Sequence, residues 1–276
     1  MRKLKLITII VTAMIALNLT AAHAEEVAPL FPLPFTPDFT RGSGWGIALG
    51  LGVEYETAYA GSDEYKFELD PAGAIQWRKG NHLFSWEGLE LSWTTRQKDQ
   101  WYIQVDLGLD GEREKDDSDD GRLDGLDERD DEFTGTGEVR YSFDGEWRNY
   151  VGTRISVGDS DFGTKGFIFA GHRFGSRQDG GGTEAFLYAT FADSKNLNRE
   201  FGVSLSEATT SGLAETDLET GYRSSGLRLV DRRFASEHIQ IVSGLELEYY
   251  SSDVRDSPIV REDFAAEVEL AILYHF

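Results

Sequence analysis

The chain of 276 residues contains no cysteine, and its 27 lysine and arginine residues are far outnumbered by 49 aspartate and glutamate residues. The absence of cysteine excludes thiol chemistry, disulfides and cysteine-ligated metal sites. The formal charge of −22 excludes the basic surface that nucleic-acid binding requires. We therefore expect no nucleic-acid partner.

Long hydrophobic runs are also scarce. The mean hydropathy is −0.39, and the one long apolar run lies near the N-terminus, from Leu6 to Leu19. A helical membrane bundle would need several apolar runs of about 20 residues. With 30 glycines, 12% aromatic residues and only six prolines, the composition does not fit a disordered chain either. The remaining classes are a globular fold and a β-barrel whose apolar residues alternate with polar ones.

The first 24 residues have the organisation of a secretory signal peptide. Arg2, Lys3 and Lys5 precede the apolar run, and Ala22-His23-Ala24 matches the small-x-small cleavage pattern. We predict export through the inner membrane and cleavage after Ala24. Residues 25–43 hold four of the six prolines and are predicted to form an extended periplasmic lead-in before a folded domain at 44–276.

From residue 45 onward, apolar side chains alternate with small or polar ones, as in strands that face two different solvents. The runs that we interpret as strands are 45–56, 67–78, 82–93, 101–109, 134–143, 147–158, 166–173, 183–192, 200–206, 215–230, 237–250 and 265–276.

A soluble β-sandwich would alternate too, but three features favour a transmembrane barrel. Many runs reach 10–12 residues, where soluble strands average about five or six. Aromatic residues, among them Trp45, Trp101 and Trp147, lie near the ends of the apolar faces, as interfacial girdles require. The opposite faces carry charges that suit a wet lumen. We predict an all-β, antiparallel barrel of about 12 strands (10–12) in the outer membrane of a Gram-negative bacterium, in contact with its lipid.

The predicted barrel suggests an assembly role for the C-terminal aromatic residues and a lumenal position for several charged residues. The terminal aromatics Tyr274 and Phe276 look like the C-terminal signal that the barrel-assembly machinery reads. Several charged residues are predicted to face the lumen, where they could line a pore for small solutes: Glu54, Asp106, Arg154, Glu246, Glu248, Glu267 and Glu269.

The segment from Asp110 to Glu132 is the strongest local anomaly, because it holds thirteen acids and four bases. The simplest interpretation is a solvated, self-repelling loop. A second is a calcium loop resembling an EF-hand, with Gly121 at position 6 and an aspartate where a bidentate glutamate is expected at position 12. Its predicted ligands are Asp116, Ser118, Asp120, Asp124 and Asp127. A third is a docking surface for a cationic partner. No other cofactor is predicted.

We predict no enzyme, because the sequence lacks a nucleophile elbow, a phosphate-binding glycine loop and a metal-ligand cluster. Two serine–histidine pairs lie close in sequence, His82 with Ser85 and His238 with Ser236. Nearness along the chain does not place two side chains together across a barrel, so these pairs carry no catalytic assignment.

Short stretches in a fixed order along the chain resemble the MipA/OmpV family of outer-membrane proteins. They are Tyr59-Ala60-Gly61-Ser62, Leu123-Asp124-Gly125-Leu126, Phe201-Gly202-Val203-Ser204 with Glu207-Ala208, Ser211-Gly212-Leu213, Asp256-Ser257-Pro258-Ile259-Val260 and the C-terminal Tyr274-His275-Phe276. The resemblance implies a non-enzymatic barrel. In the MipA branch it implies a scaffold that joins a lytic murein transglycosylase to a murein synthase, and in the OmpV branch an envelope, osmotic or adhesion role.

The side of the membrane on which the acidic segment lies depends on the strand count. With the twelve strands given above, it falls on the periplasmic side, which favours the scaffold. If 200–206 is not a strand and another is gained nearer the N-terminus, the segment lies outside, where it would suit calcium, lipopolysaccharide or host contact. Loop length favours the outside, because periplasmic turns are usually short.

Overall fold

The protein forms a closed antiparallel barrel of twelve strands. The computed structural model describes residues 43–87, 90–97, 100–110, 118, 121–129, 132–159, 161–174 and 182–276. The predicted signal peptide and the lead-in up to residue 42 lie outside these ranges. Each strand pairs with its neighbours in sequence, and β1 pairs with β12 to close the barrel. The predicted all-β barrel is therefore confirmed.

The strands have the following bounds: β1 Gly44–Thr57, β2 Tyr65–Lys79, β3 His82–Glu87, β4 Glu90–Gln97, β5 Trp101–Asp110, β6 Glu132–Ser142, β7 Asn149–Gly158, β8 Thr164–Phe174, β9 Gly182–Ala192, β10 Gly221–Phe234, β11 Ile239–Tyr250 and β12 Phe264–His275.

The outer surface of the barrel is apolar. Leu49, Leu51 and Ile272 are exposed and lie on the outward face of neighbouring strands. Aromatic contacts run along both rims of this face, for example Trp45 with Trp77 at one rim, with ring centroids 6.4 Å apart. The inner surface carries the alternate residues. This arrangement suits a barrel surrounded by lipid and filled with polar groups.

Two of the predicted strands are wrong, and the errors cancel in the count. Residues 82–93 form two strands, because β3 turns into β4 with Glu87 paired to Glu90. The sequence contained the signal: apolar positions are even before Gly88 (Phe84, Trp86) and odd after it (Leu91, Trp93), so the alternation changes phase.

The predicted strand 200–206 is instead helical at both of its ends. Helix α1 spans Ser194–Phe201 and helix α2 spans Leu205–Ser211, and a third helix, α3, spans Ser252–Arg255. Ser204 and Glu207 form a capping box at the start of α2, and Gly212 ends that helix with φ +75°. Among the described residues, no helix is long and apolar enough to cross a membrane.

The two ends of the barrel differ in their connections. At the terminus end, where β1 begins and β12 ends, consecutive strands are joined by short turns such as 80–81 and 235–238. At the opposite end, the far end, the connections include 193–220 and 251–263. Since the acidic segment joins β5 to β6, its flanking residues place it at the far end. The placement at the terminus end, which followed from the predicted strands, is wrong because 82–93 is a hairpin.

Candidate functional site: the barrel lumen and its cap

The predicted lumenal glutamates form an acidic ladder across adjacent strands. Glu54 on β1 pairs directly with Glu269 on β12, and Glu246 on β11 pairs directly with Glu267 on β12. Like charges that face each other across a strand pair destabilise a sheet. These facing carboxylates are therefore expected to destabilise the sheet where no cation lies between them.

Two cations among the described residues, Arg228 and Lys66, lie close to carboxylates of this wall. Arg228 lies 3.1 Å from Glu246 and 3.7 Å from Glu269. Lys66 lies 2.6 Å from Glu68 and 3.7 Å from Glu56. Carboxylate oxygens of Glu54, Glu56 and Glu267 come within 4.8 Å of one another. The wall formed by β1, β2, β11 and β12 thus carries more negative than positive charge.

Glu248 connects the lumen to the far end. Its carboxylate accepts hydrogen bonds from Ser224 and from Arg223 Nη1 at 2.5 Å each. The same Arg223 donates to Glu200 of α1 at 2.8 Å. This cation is therefore shared between a strand that lines the lumen and a helix in the connection above it.

The last two predicted lumenal charges, Asp106 and Arg154, lie together on the opposite wall. Arg154 Nη2 is 3.5 Å from Asp106, and Arg154 Nη1 is 3.8 Å from Glu138. Glu138 also binds Arg140 on the same strand. Glu138 and Arg140 were not predicted as lumenal charges from the sequence, although both occupy inward positions of an alternating strand.

A plug fills the terminus-end half of the lumen. We define it as Tyr102, Arg140, Trp147, Tyr150, Phe186 and Val230, all buried. The guanidinium carbon of Arg140 lies 4.7 Å from the ring centroid of Tyr102 and 5.9 Å from that of Tyr150. Gly171 makes room for the plug, because a Cβ there would overlap the Tyr150 ring.

The plug leaves no open water path among the described residues at this level of the barrel. In an aqueous pore the inward side chains would keep surface accessible to water, but Arg140 and Gln240 are 0% exposed and Tyr150 is 1% exposed. Side chains of a barrel of this size can fill its interior. The lumen is therefore a compartment with a closed terminus end.

Trp147 departs from its predicted position. It was expected on the outward face, as a girdle residue at the start of a strand. It lies instead in the turn between β6 and β7 with φ +61°, and its side chain is 3% exposed. Its ring contacts Tyr102 and Tyr150 and lies below Arg96. The prediction is wrong because the turn reverses the direction in which this side chain points.

The connections at the far end pack into a cap, which we define as residues 58–64, 121–129, 193–220 and 251–263. One buried cluster in it joins Tyr59, Leu123, Leu126, Val203 and Ile259. A second cluster at the junction with the barrel joins Leu197, Phe201, Leu218, Tyr250 and Val254, with Ala192. Each connection is too short to bury a core alone, so the four segments hold one another in place.

Hydrogen bonds link the same segments. Ser257 Oγ donates to the Phe201 carbonyl at 2.6 Å, and Thr210 Oγ1 donates to the Gly125 carbonyl at 2.6 Å. The Arg261 amide donates to the Gly61 carbonyl at 2.7 Å. All of the stretches that carry the family resemblance, except the C-terminal one, therefore meet in the cap, although they are up to 200 residues apart in sequence.

Glu207 is a buried charged residue of the cap. Burial raises the pKa of this carboxyl, but hydrogen bonds from Ser204 and from the Asp127 amide, together with Arg129, outweigh burial and lower the pKa below its usual value. Arg129 Nη2 lies 3.2 Å from the carboxylate. The capping glutamate of α2 therefore also anchors the segment 121–129.

The structure describes three of the five predicted calcium ligands. Ser118 Oγ accepts the Arg122 amide at 2.9 Å, and Asp127 lies 4.0 Å from Arg129. Asp124 lies in the turn that follows Gly121, which has φ +73°. Asp116 and Asp120 lie outside the described residues. The calcium site remains a prediction.

The serine–histidine pairs do not form catalytic dyads. His82 and Ser85 lie on opposite faces of β3, since their strand positions differ by an odd number. Ser236 Oγ accepts a hydrogen bond from the amide of His238, whose ring Nδ1 contacts the His275 carbonyl at 2.9 Å.

Tyr274 and Phe276 are exposed on the outer rim at the terminus end, and their ring centroids are 5.0 Å apart. Their role in assembly remains a prediction.

A closed barrel with an apolar outer face, aromatic rims and a charged lumen defines an outer-membrane β-barrel protein. Comparison with family models gives the finer class: the model described as MltA-interacting protein MipA matches residues 49–276. The chain belongs to the MipA family. No curated protein matches the chain in sequence.

The chain is similar in fold to several solved structures, including the following three. A bacterial polysaccharide outer membrane secretin has 11% identity and a TM-score of 0.45, covering 83% of this chain and 98% of its own. The toluene transporter TbuX of Ralstonia pickettii has 10% identity and a TM-score of 0.38, covering 92% and 95%. LpxR from Salmonella typhimurium has 13% identity and a TM-score of 0.42, covering 82% and 100%.

Proposed function

We propose that the protein is a non-enzymatic scaffold of the outer membrane, whose terminus end faces the periplasm and binds murein enzymes. The partner class is the one implied by the family, a lytic murein transglycosylase together with a murein synthase. The observation that carries the proposal is the plug. A barrel that is closed by buried side chains is better suited to hold partners than to pass solutes.

The orientation rests on the two kinds of connection. Outer-membrane barrels have short periplasmic turns and longer extracellular segments. The short turns 80–81, 143–148 and 235–238 all lie at the terminus end. Export by the predicted signal peptide would also leave the lead-in, residues 25–43, on the periplasmic side. The terminus end and the lead-in are therefore the surface offered to murein enzymes, and the cap faces outward.

Affinity capture tests this orientation. Mature protein in detergent, carrying a tag, is mixed with a purified lytic murein transglycosylase and a purified murein synthase. We compare the intact chain with two variants: one that lacks residues 26–42, and one in which Asp116, Asp117, Asp119 and Asp120 are replaced by asparagine. Capture is expected to fall only in the first variant. If neither enzyme is captured by the intact chain, the scaffold is excluded; if capture falls only in the second variant, the orientation is reversed.

Planar-bilayer recording tests the closed lumen against the small-solute channel. We expect no steady conductance from the intact barrel, because the plug fills the terminus-end half. Tyr102→Ala with Trp147→Ala removes two of its rings and is expected to produce conducting events. Steady, cation-selective conductance of the intact chain would favour the channel instead.

A second candidate function, binding at the cell surface, is favoured by the convergence of the family-like stretches in the cap. The acidic segment would supply the charge for a cation or a cationic partner. Calorimetric titration with calcium tests this, with Asp124→Asn and Asp127→Asn as a combined variant. If the combined variant binds calcium as tightly as the intact chain, Asp124 and Asp127 are not calcium ligands.

A further inference from the structure

A cavity of about 270 Å³ lies in the lumen on the cap side of the plug. Its volume is close to the lower end of the range of about 300–1,000 Å³ typical of small-molecule sites. Phe186, a member of the plug, lines its floor, and Leu109 and Lys165 line it near the far end. The described lining residues of the cavity all belong to the barrel wall.

One wall of the cavity presents two buried carboxylates. Asp106 Oδ1 accepts Gln104 Nε2 at 2.6 Å, and Glu138 Oε1 accepts Arg140. Their second oxygens, Asp106 Oδ2 and Glu138 Oε2, are buried and accept no hydrogen bond. Arg154 contributes charge to both from 3.5 and 3.8 Å. Arg154 therefore pairs with these same two oxygens without a hydrogen bond, and a bound donor would complete their hydrogen bonding.

The facing wall is aromatic. Phe167 and Tyr188 lie with ring centroids 6.2 Å apart, and Phe169 and Phe186 lie 6.4 Å apart. Ring faces attract cations as well as apolar groups. The two walls together offer acceptors on one side and aromatic surface on the other, which is the composition of a site for an amphipathic ligand.

The sign of the ligand charge follows from the rest of the lumen. Glu246, a member of the acidic ladder, also lines the cavity, beside Arg228. The remaining ladder glutamates on β1 and β12 lie on neighbouring strands of the same wall. The cavity itself has a small excess of acids, because its charged lining residues are Glu90, Asp106, Glu138, Glu246, Arg154, Lys165 and Arg228. The adjacent ladder adds further carboxylates, and an excess of negative charge within low-dielectric walls favours a cation.

We infer that this cavity is a binding site for a small organic cation that carries an aromatic or alkyl body. The ammonium group donates to Asp106 Oδ2 and Glu138 Oε2, and the apolar body packs against Phe167, Phe169 and Tyr188. The site takes the solute from the lumen and lies apart from the surface that we assign to murein enzymes, so either proposal can fail without the other.

Isothermal titration of the mature protein in detergent with phenethylammonium tests the site. The matched ligands are 2-phenylethanol, which has the ring without the charge, and ethylammonium, which has the charge without the ring. We expect saturable binding of phenethylammonium and binding at least about tenfold weaker for each partial ligand. Equal affinity for phenethylammonium and 2-phenylethanol, or no saturable binding of phenethylammonium, would overturn the inference.

Three variants locate the binding. Asp106→Asn removes an acceptor and its charge at unchanged shape and is expected to weaken binding about tenfold or more. Glu68→Gln removes a lumenal charge outside the cavity and is expected to bind nearly as the intact chain does. Gly108→Val fills the cavity without altering charge, since a Cβ there meets only Glu90 atoms at 3.6–3.7 Å. Heat-modified gel migration confirms folding of each variant. Unchanged affinity in Asp106→Asn and Gly108→Val would refute the site.

Discussion

The two halves of the lumen treat buried charge in different ways. In the terminus-end half, Arg140 is fully buried, bonded to Glu138 and enclosed by aromatic rings. In the far-end half, Glu54, Glu267 and Glu269 are only partly buried and lie beside one another, with Arg228 3.7 Å from Glu269. The first arrangement closes the barrel and stabilises it. The second leaves an excess of negative charge on one wall of the far-end half, and the cavity in which we place a ligand lies in the same half.

The largest expected effect comes from the plug. Arg140→Ala leaves the buried Glu138 carboxylate without its main partner and removes the contacts with three rings. Breaking a buried ion pair in this way costs about 3–5 kcal/mol of unfolding free energy. Urea titration of tryptophan fluorescence in detergent measures the loss.

A double variant separates this charge effect from packing. Arg140→Met with Glu138→Gln removes both charges and is expected to recover part of the lost stability. If the single variant were as stable as the intact chain, the plug would not be a stabilising element.

In the cap, Leu123→Ala is expected to cost about 3 kcal/mol, because the side chain is 1% exposed within the cluster that joins four segments. The loss should remain local, since the barrel strands hydrogen-bond independently of the cap. Limited proteolysis should show faster cleavage within 193–220, and heat-modified gel migration should stay that of a folded barrel. Loss of the folded migration would show that cap and barrel unfold together.

The capping box of α2 makes the cap sensitive to acid. Since the pKa of Glu207 is lowered in the folded cap, its contribution is present above the pKa of an unfolded glutamate and is lost as the pH falls through the lower folded value. Protease resistance of the cap should therefore fall on acidification below about pH 4. Glu207→Gln should reduce this pH dependence, and Ser204→Ala should cost about 1 kcal/mol at neutral pH. An identical pH profile in Glu207→Gln would contradict the assignment.

The smallest effect is expected at the terminus end, where Asp144 organises the turn that carries Trp147. Its carboxylate accepts the Glu146 amide at 2.9 Å, the Arg148 amide at 3.3 Å and the Asn149 amide at 3.2 Å. Weak burial raises the pKa of Asp144, but these bonds and that from Ser142 lower it overall. Asp144→Ala should cost about 1 kcal/mol, by analogy with a helix cap.

Folding and unfolding rates measured against urea concentration show whether the stability lost in Asp144→Ala affects refolding or unfolding. If the turn forms late, Asp144→Ala speeds unfolding and leaves refolding unchanged. A variant that unfolds at the rate of the intact chain and is equally stable would show that the turn does not depend on this carboxylate.

Much of the barrel was predictable from the sequence because alternation is a local property. The outward face of β1, from Trp45 to Val53, and the inward positions of Glu54, Asp106 and Glu246 follow from counting residues along one strand. The same rule fails where the chain turns. The hairpin at 82–97 changes the phase of alternation, and Trp147 lies in a turn that points its ring inward.

What only the tertiary structure decided is which distant residues meet. The family-like stretches gave no hint that Tyr59, Leu123, Val203 and Ile259 form one cluster, because each is short and lies in a connection without periodicity. The plug and the cavity cannot be predicted from the sequence of any single strand either. Both depend on which inward side chains lie at the same height along the barrel axis. Alternation along a strand is set by local backbone geometry and can be read from the sequence. Contacts across the lumen are set by the register between strands and by closure of the sheet, and they exist only in the folded barrel.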